Sequence, residues 1–186
     1  MKQTLLHHRN ILIVAVLALA LCLSQRTVES YGDNLQIALP VAAFGCRIAT
    51  GGGGDYAVRF LAMLGTVHLT KWGLGDARIN IRPSGSLNGF PSGHMAAASF
   101  GASSLVNACI EKSPAVKTVV ILAAFFVGGS RIESDSHTLW QVLAGALWAL
   151  LFERGFRKAT GRIRRLARKR KADRMAAGTN TEGTGR

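Results

Sequence analysis

Apolar residues gather into six segments along the chain, at 11–23, 35–46, 56–69, 95–110, 115–128 and 139–152. The connectors between them are mostly brief and rich in Gly, Ser and charge. Taken singly, each segment is shorter than the roughly 20 residues of a straight bilayer span, and a soluble protein can bury such a helix. A soluble bundle, however, shows a polar face recurring every three or four residues. The run from Met95 to Leu105 has no such face, and neither has the run from Val119 to Val127. Gly101, Ala102 and Ser103 are small residues of the kind that let helices approach closely inside lipid. The pattern predicts an all-α fold, a polytopic membrane helical bundle of about six transmembrane helices, over residues 1–153.

Composition and charge refine this picture. The length of 186 residues allows one domain, and a chain 48% hydrophobic and 18% charged is not an intrinsically disordered one. Of the net charge of +13, +9 falls between Glu153 and Arg174, where eleven basic residues stand against two acidic ones. Residues 154–186 therefore form a separate basic tail, polar and glycine-rich at its end and expected to be partly disordered. Such a tail alone would suit nucleic acid, but the apolar body argues against that partner. Anionic lipid headgroups are the expected partner instead.

Lys2 and Arg9 precede the first segment and the basic tail follows the last, so both ends are expected in the cytoplasm. Loops 25–34, 71–94 and 129–138 then lie outside, and 47–55 and 111–117 inside. The first segment also reads as a secretory signal peptide. Cys22 makes a poor −3 residue for cleavage near Ser24, which favours an uncleaved first helix. The economy of the layout predicts a multi-pass protein of a bacterial inner membrane. Cys22, Cys46 and Cys109 lie in or beside apolar runs, where a thiol behaves as a small hydrophobe, and three cysteines make no disulfide framework.

Two outer loops hold residue types suited to phosphate. The first contains Lys71, Arg78, Arg82-Pro83 and Pro91-Ser92-Gly93-His94; the second contains Ser130-Arg131, His137 and Gln141. Polar groups at the ends of apolar helices point to function. A phosphoryl group in transfer spreads negative charge over three oxygens, so fixed cations and backbone N–H donors must surround it. Lys71, Arg78, Arg82 and Arg131 supply cations, and Arg can grip two oxygens at once. Ser92 and Gly93 stand where a loop becomes a helix, whose first N–H groups are free to bind an anion. Of two histidines, one can attack phosphorus as a neutral imidazole while the other protonates the leaving oxygen.

In order and position these residues resemble the three-part signature of the type 2 phosphatidic acid phosphatase family, which includes lipid phosphate phosphatases and vanadium haloperoxidases. The signature is a Lys followed by Arg-Pro, then Pro-Ser-Gly-His, then Ser-Arg with five residues to a His and three more to an Asp. The match runs from Lys71 to Gln141, and the six-segment layout resembles the membrane branch of the family. The resemblance implies that His137 is the nucleophile, forming a phosphohistidine, and that His94 is the general acid. It also implies that Lys71, Arg82, Ser92, Gly93 and Arg131 hold the phosphate oxygens, with no cofactor and no metal. The substrate implied is a membrane lipid phosphate or diphosphate, such as phosphatidate or a polyprenyl diphosphate, hydrolysed at the outer face.

Two positions depart from the family pattern. The usual spacing from Lys71 lands on Arg78, whereas Arg82-Pro83 comes four residues later; either Arg can be the ligand, and Pro83 favours Arg82. Gln141 stands where an acidic residue should orient the nucleophile. One helical turn from His137, its oxygen can accept the Nδ1–H, but it carries no charge to stabilise a developing imidazolium. A weakened, phosphate-binding membrane protein and a phosphotransferase with the same site are the alternative readings. Elsewhere, blander accounts prevail. His68 is expected to be a packed core histidine, Arg59 to snorkel at the inner interface, and Trp72 and Trp140 to sit at the outer one. Gly51 to Gly54 lack the Gly-Lys-Ser/Thr of a phosphate loop and read as a turn. His68, His94 and His137 lack the clustered spacing of a zinc site.

Overall fold

The computed structural model describes residues 2–25 and 27–156. Among them the chain forms six α-helices and no strand: α1 (Lys2–Cys22), α2 (Val28–Ala49), α3 (Gly53–Leu74), α4 (Gly93–Ser104), α5 (Pro114–Glu133) and α6 (Leu139–Leu150). Each apolar segment falls on one of these helices. A π-helical turn, Leu105–Cys109, prolongs α4, and another, Leu151–Gly155, prolongs α6. Hydroxyl side chains start most of the helices, because an N-cap oxygen satisfies backbone N–H groups that have no partner within the helix. Thr27, Ser92, Ser113 and Thr138 cap α2, α4, α5 and α6 in this way, and Pro114 opens α5.

Helix α4 lies at the centre, packed against α2, α5 and α6. All ten residues from Met95 to Ser104 are buried, as are Leu105 and Cys109 of the π turn, with the partly exposed Gly93 and His94 standing at the head of the helix. That explains why its sequence shows no polar face. Gly101 is the point of closest approach to α2, since a Cβ there would overlap the backbone of Leu39 and Pro40. Tyr56 of α3 stacks edge-on against Phe100 at 5.2 Å and donates its hydroxyl to the Pro40 carbonyl at 3.0 Å. These contacts fix the three helices that carry most of the site.

Three expectations are corrected, the first two at the end of the bundle remote from His137. Cys46 and Cys109 form a disulfide across 63 residues, because the last turn of α2 meets the π turn after α4; only Cys22 is free. Arg59 does not snorkel outward. It is 5% exposed, paired with Asp55 at 3.0 Å, and donates to the Glu153 carbonyl at 2.7 Å. A buried guanidinium needs such partners, and the π turn at Leu151–Gly155 supplies one. His68, expected in the core, is exposed on the face of α3 that lines a cavity.

Among the described residues one helix, Pro114–Glu133, is long and apolar enough to cross a membrane, and His8–Cys22 is a shorter apolar helix. Polar groups interrupt α2 and α3, chiefly Glu29, Asp33 and Arg47 in the first and Asp55, Arg59 and Lys71 in the second. The basic tail predicted at 154–186 lies, beyond Phe156, outside the described residues.

Candidate active site

The loop after α3 folds back over the end of that helix, and one buried side chain organises it. Asn80 donates its amide to the carbonyls of Lys71 at 3.0 Å and Gly75 at 2.7 Å, while its Oδ1 accepts from Phe90 N–H at 3.1 Å. Its own carbonyl accepts from Gly89 N–H at 2.7 Å. Folded this way, the loop brings Arg82 beside Lys71. The Lys71 ammonium donates to the Asn88 carbonyl at 2.7 Å, and Arg82 reaches the same oxygen at 3.4 Å. Asn88 takes φ +66°, a left-handed conformation that Asn tolerates better than most residues. Among the described residues the buried Arg82 Nε has no hydrogen-bond partner. Arg78 is exposed on the short 3₁₀ turn Arg78–Asn80 and does not line the cavity described below.

Ser92 and Gly93 sit at the head of α4. Ser92 is fully buried, its N–H donating to the Gln141 carbonyl at 2.9 Å and its Oγ accepting from Met95 N–H at 3.4 Å. Gly145 permits this, because a Cβ there would overlap the Ser92 carbonyl. The free N–H groups of the first turn of α4 stand beside His94.

Helix α6 presents the second histidine through Gln141. The Thr138 hydroxyl accepts from Gln141 N–H at 3.3 Å, and Gln141 Oε1 accepts from Thr138 N–H at 3.1 Å, a reciprocal capping box. Gln141 Nε2 donates to the carbonyls of Ile79 at 3.0 Å and Ile81 at 2.8 Å, in the opposite loop. Those two acceptors identify the amide nitrogen, and so the oxygen is what faces His137 Nδ1 at 3.2 Å. An amide oxygen only accepts. His137 therefore carries its proton on Nδ1 and keeps the Nε2 lone pair free. The backbone N–H of His137 is tied to the Arg131 carbonyl at 3.0 Å, which fixes the nucleophile candidate to the end of α5.

Arg131 is 3% exposed and faces α2. It donates to the Glu29 carbonyl at 2.8 Å and pairs with the Asp33 carboxylate at 3.0 Å and that of Glu29 at 3.6 Å. Asp33 also lies 3.4 Å from His94 Nε2. Gly32 makes the approach possible, since a Cβ there would overlap the Ser130 side chain.

Lys71, Arg82, Gly93, His94 and His137 share one cavity of about 620 Å³, which continues between α2 and α3 past Ile37, Pro40, Phe44, Ala57, Phe60 and Leu64. Arg131 stands next to it, linked to His94 by Asp33. Burial, with Lys71 and Arg82 adding to it, pushes His137 down to about 4, although the Gln141 hydrogen bond acts upward. Burial and then Arg131 hold His94 below the ordinary histidine value, with Asp33 opposing them. At neutral pH His137 is thus an uncharged imidazole with a free Nε2, among cations and helix N–H groups. Asp33, Asn80 and the two carbonyls held by Gln141 escaped the sequence reading. Thr138-Leu-Trp-Gln141 was legible as a capping box, and Glu29 and Asp33, four apart at a helix start, as one charged face.

Among the described residues the fold is all-helical and brings two histidines and two cationic side chains into one cavity. The family model of the PAP2 superfamily matches residues 12–165, and the chain belongs to that superfamily. Membership carries phosphatase-type activity on phosphate esters. Comparisons with curated proteins and with solved structures give no significant match.

Proposed function

We propose that the chain is an integral-membrane lipid phosphate phosphatase working through a phosphohistidine. The observation that carries this reading is the cavity itself. Its head holds Lys71, Arg82, His94 and His137, and its body is an apolar trough between α2 and α3. A phosphate at the head with a hydrocarbon chain along the trough fits both parts. His137 Nε2 attacks phosphorus, the bond from phosphorus to the lipid oxygen breaks, and that oxygen takes a proton from His94. Water then attacks the phosphohistidine, giving its proton to His94 and releasing inorganic phosphate with His137 as the neutral imidazole. Lys71, Arg82, Arg131 and the N–H of Gly93 stabilise the charge on the equatorial oxygens, whereas the expected ligand Ser92 has its N–H engaged by the Gln141 carbonyl and serves to set the start of α4.

Support for a lipid setting comes from the outward faces. Val58, Leu61, Leu122, Phe125 and Leu147 are each at least 60% exposed, and exposed apolar residues line the outside of every α-helix except the buried α4. An apolar exterior of that extent is unusual for a protein surrounded by water. Trp72 and Trp140, at 72% and 73%, stand at the site end, where interfacial tryptophans are found. With both chain ends cytoplasmic, the site faces outward. The Cys46–Cys109 bond argues for the opposite orientation, since disulfides persist in oxidising compartments. Labelling of Ser86→Cys in intact cells with a membrane-impermeant maleimide decides between them, as Ser86 is exposed in the site loop.

The amide of Gln141 makes four hydrogen bonds, which favours a working enzyme over a decayed one. The test is phosphate release from lipid mono- and diphosphates by purified protein without added metal, beside His137→Ala. Leu64→Trp, which fills the trough, should lower the ratio of long-chain to short-chain activity. Release that persists in His137→Ala would refute the mechanism, and an unchanged ratio in Leu64→Trp would refute the trough as the lipid site.

A further inference from the structure

Among the described residues no carboxylate bonds to the nucleophile candidate His137; its Nδ1 partner is the neutral Gln141. A carboxylate does reach the other histidine. Asp33, in the second turn of α2, places Oδ1 3.4 Å from His94 Nε2 and 3.0 Å from Arg131 Nη1. We propose that Asp33 is a positioning residue for the reaction, holding His94 as the proton donor and fixing Arg131 as a phosphate ligand through one shared oxygen. This rests on the phosphatase reading given above.

The fold delivers Asp33 to this place by design of the α2–α5 contact. Gly32 is buried against Ser130, and the absence of a Cβ lets the first turns of α2 close on the end of α5. Glu29, one turn earlier, takes Arg131 Nη2 on its carbonyl, so the guanidinium is aligned before Asp33 completes it. A general acid must carry its proton when the substrate binds. The surroundings of His94 oppose that: Arg131 from α5, Lys71 from α3 and Arg82 from the loop all disfavour a second positive charge, as does burial. Among the groups acting on His94, Asp33 alone favours the imidazolium. Glu29 faces Arg131 without reaching His94. Asp33 is about half exposed, so its effect is partly screened by solvent.

The pair divides the work between the two histidines by environment. His137, bonded to a neutral amide and crowded by cations, stays uncharged and nucleophilic. His94, with a carboxylate 3.4 Å from its Nε2, retains its proton to a higher pH than the same site would otherwise permit. A carboxylate on His137 would instead favour its charged, non-nucleophilic form.

The direct test follows the His94 Cε1–H resonance against pH in ¹³C-histidine-labelled protein, assigned by its loss in His94→Asn. Asp33→Asn should lower the His94 midpoint by about half a unit to one unit, an opposite charge at this distance being partly screened. Glu29→Gln, which leaves Asp33 in place, should move it by less than half as much. In parallel, the alkaline limb of kcat/KM should shift down in Asp33→Asn by the same amount and return in Asp33→Glu. An unmoved His94 midpoint in Asp33→Asn, or an equal shift in Glu29→Gln, overturns the proposal. A loss of activity uniform across pH reduces Asp33 to a structural role and overturns it as well. A shifted midpoint in a parent that hydrolyses no phosphate ester supports the pairing and overturns the phosphatase reading instead.

Discussion

Replacing Gln141 by Asp restores the acidic residue of the family pattern, yet the structure predicts that it damages the protein. The amide nitrogen of Gln141 bridges to the carbonyls of Ile79 and Ile81, at 3.0 and 2.8 Å, and a carboxylate has no donor for either. Each lost bond is worth about 1 kcal/mol net, and setting an anionic oxygen toward two carbonyls in a site 2% exposed adds repulsion and desolvation. The sum is about 2–4 kcal/mol, which for a domain of this size lowers Tm by about 5–15 °C. Asp is also one methylene shorter, so the acceptor now 3.2 Å from His137 Nδ1 withdraws. Losing control of the tautomer should lower kcat/KM by at least about 100-fold, since a comparable change in a catalytic triad lowers the rate by roughly 10⁴. Gln141→Glu keeps the length and separates the two effects. It should melt nearly as low as Gln141→Asp but retain more activity. Thermal unfolding in detergent and phosphate release at fixed lipid concentration provide both readouts. If Gln141→Asp melts like the parent and hydrolyses as fast or faster, the bridging role of the amide is wrong.

Other outcomes follow from the same geometry. Because burial lowers His137 to about 4, the unfolded chain binds a proton between about pH 6.5 and 4 that the folded chain does not. Stability should therefore fall as pH drops through that window, by an amount that His137→Gln reduces, and a pH series of thermal melts checks it. Activity should persist well below pH 6.5 on its acid side, with the acid limb of kcat/KM near pH 4 rather than at the ordinary histidine value. Gly89→Ala places a Cβ 2.5 Å from Gln141 Nε2 and should resemble Gln141→Ala in kcat/KM; equal activity to the parent would show that the loop can give way. Asn80→Ala removes three side-chain hydrogen bonds that hold the loop and should raise KM more than it lowers kcat, as Arg82 leaves Lys71.

Much of this protein is written locally. The six apolar segments predicted six helices because a helix that must be buried or face lipid needs an apolar surface whatever its neighbours. Segment 35–46 underestimated α2, which begins at Val28, since Thr27 and Glu29 start a helix by capping and charge rather than by hydrophobicity. The residues from Lys71 to His137 were legible because their chemistry and order are themselves the signal, and helix starts such as Ser92-Gly93 are local events. Spacing alone left Arg78 and Arg82 open, and only the fold of the loop around Asn80 put Arg82 in the cavity.

What the sequence could not contain is anything decided by approach between distant segments. Gly32, Gly89, Gly101 and Gly145 look like ordinary glycines until the neighbour that each admits is known: Ser130, Gln141, the α2 backbone and Ser92. The disulfide between Cys46 and Cys109 depends in the same way on where two helix ends meet, and the inward turn of Arg59 on the π turn that receives it. Gln141 read in isolation is a missing charge. In the folded chain it is a donor to two carbonyls sixty residues away and an acceptor for one histidine, because a side-chain amide presents both functions at once and tertiary structure brings partners for both.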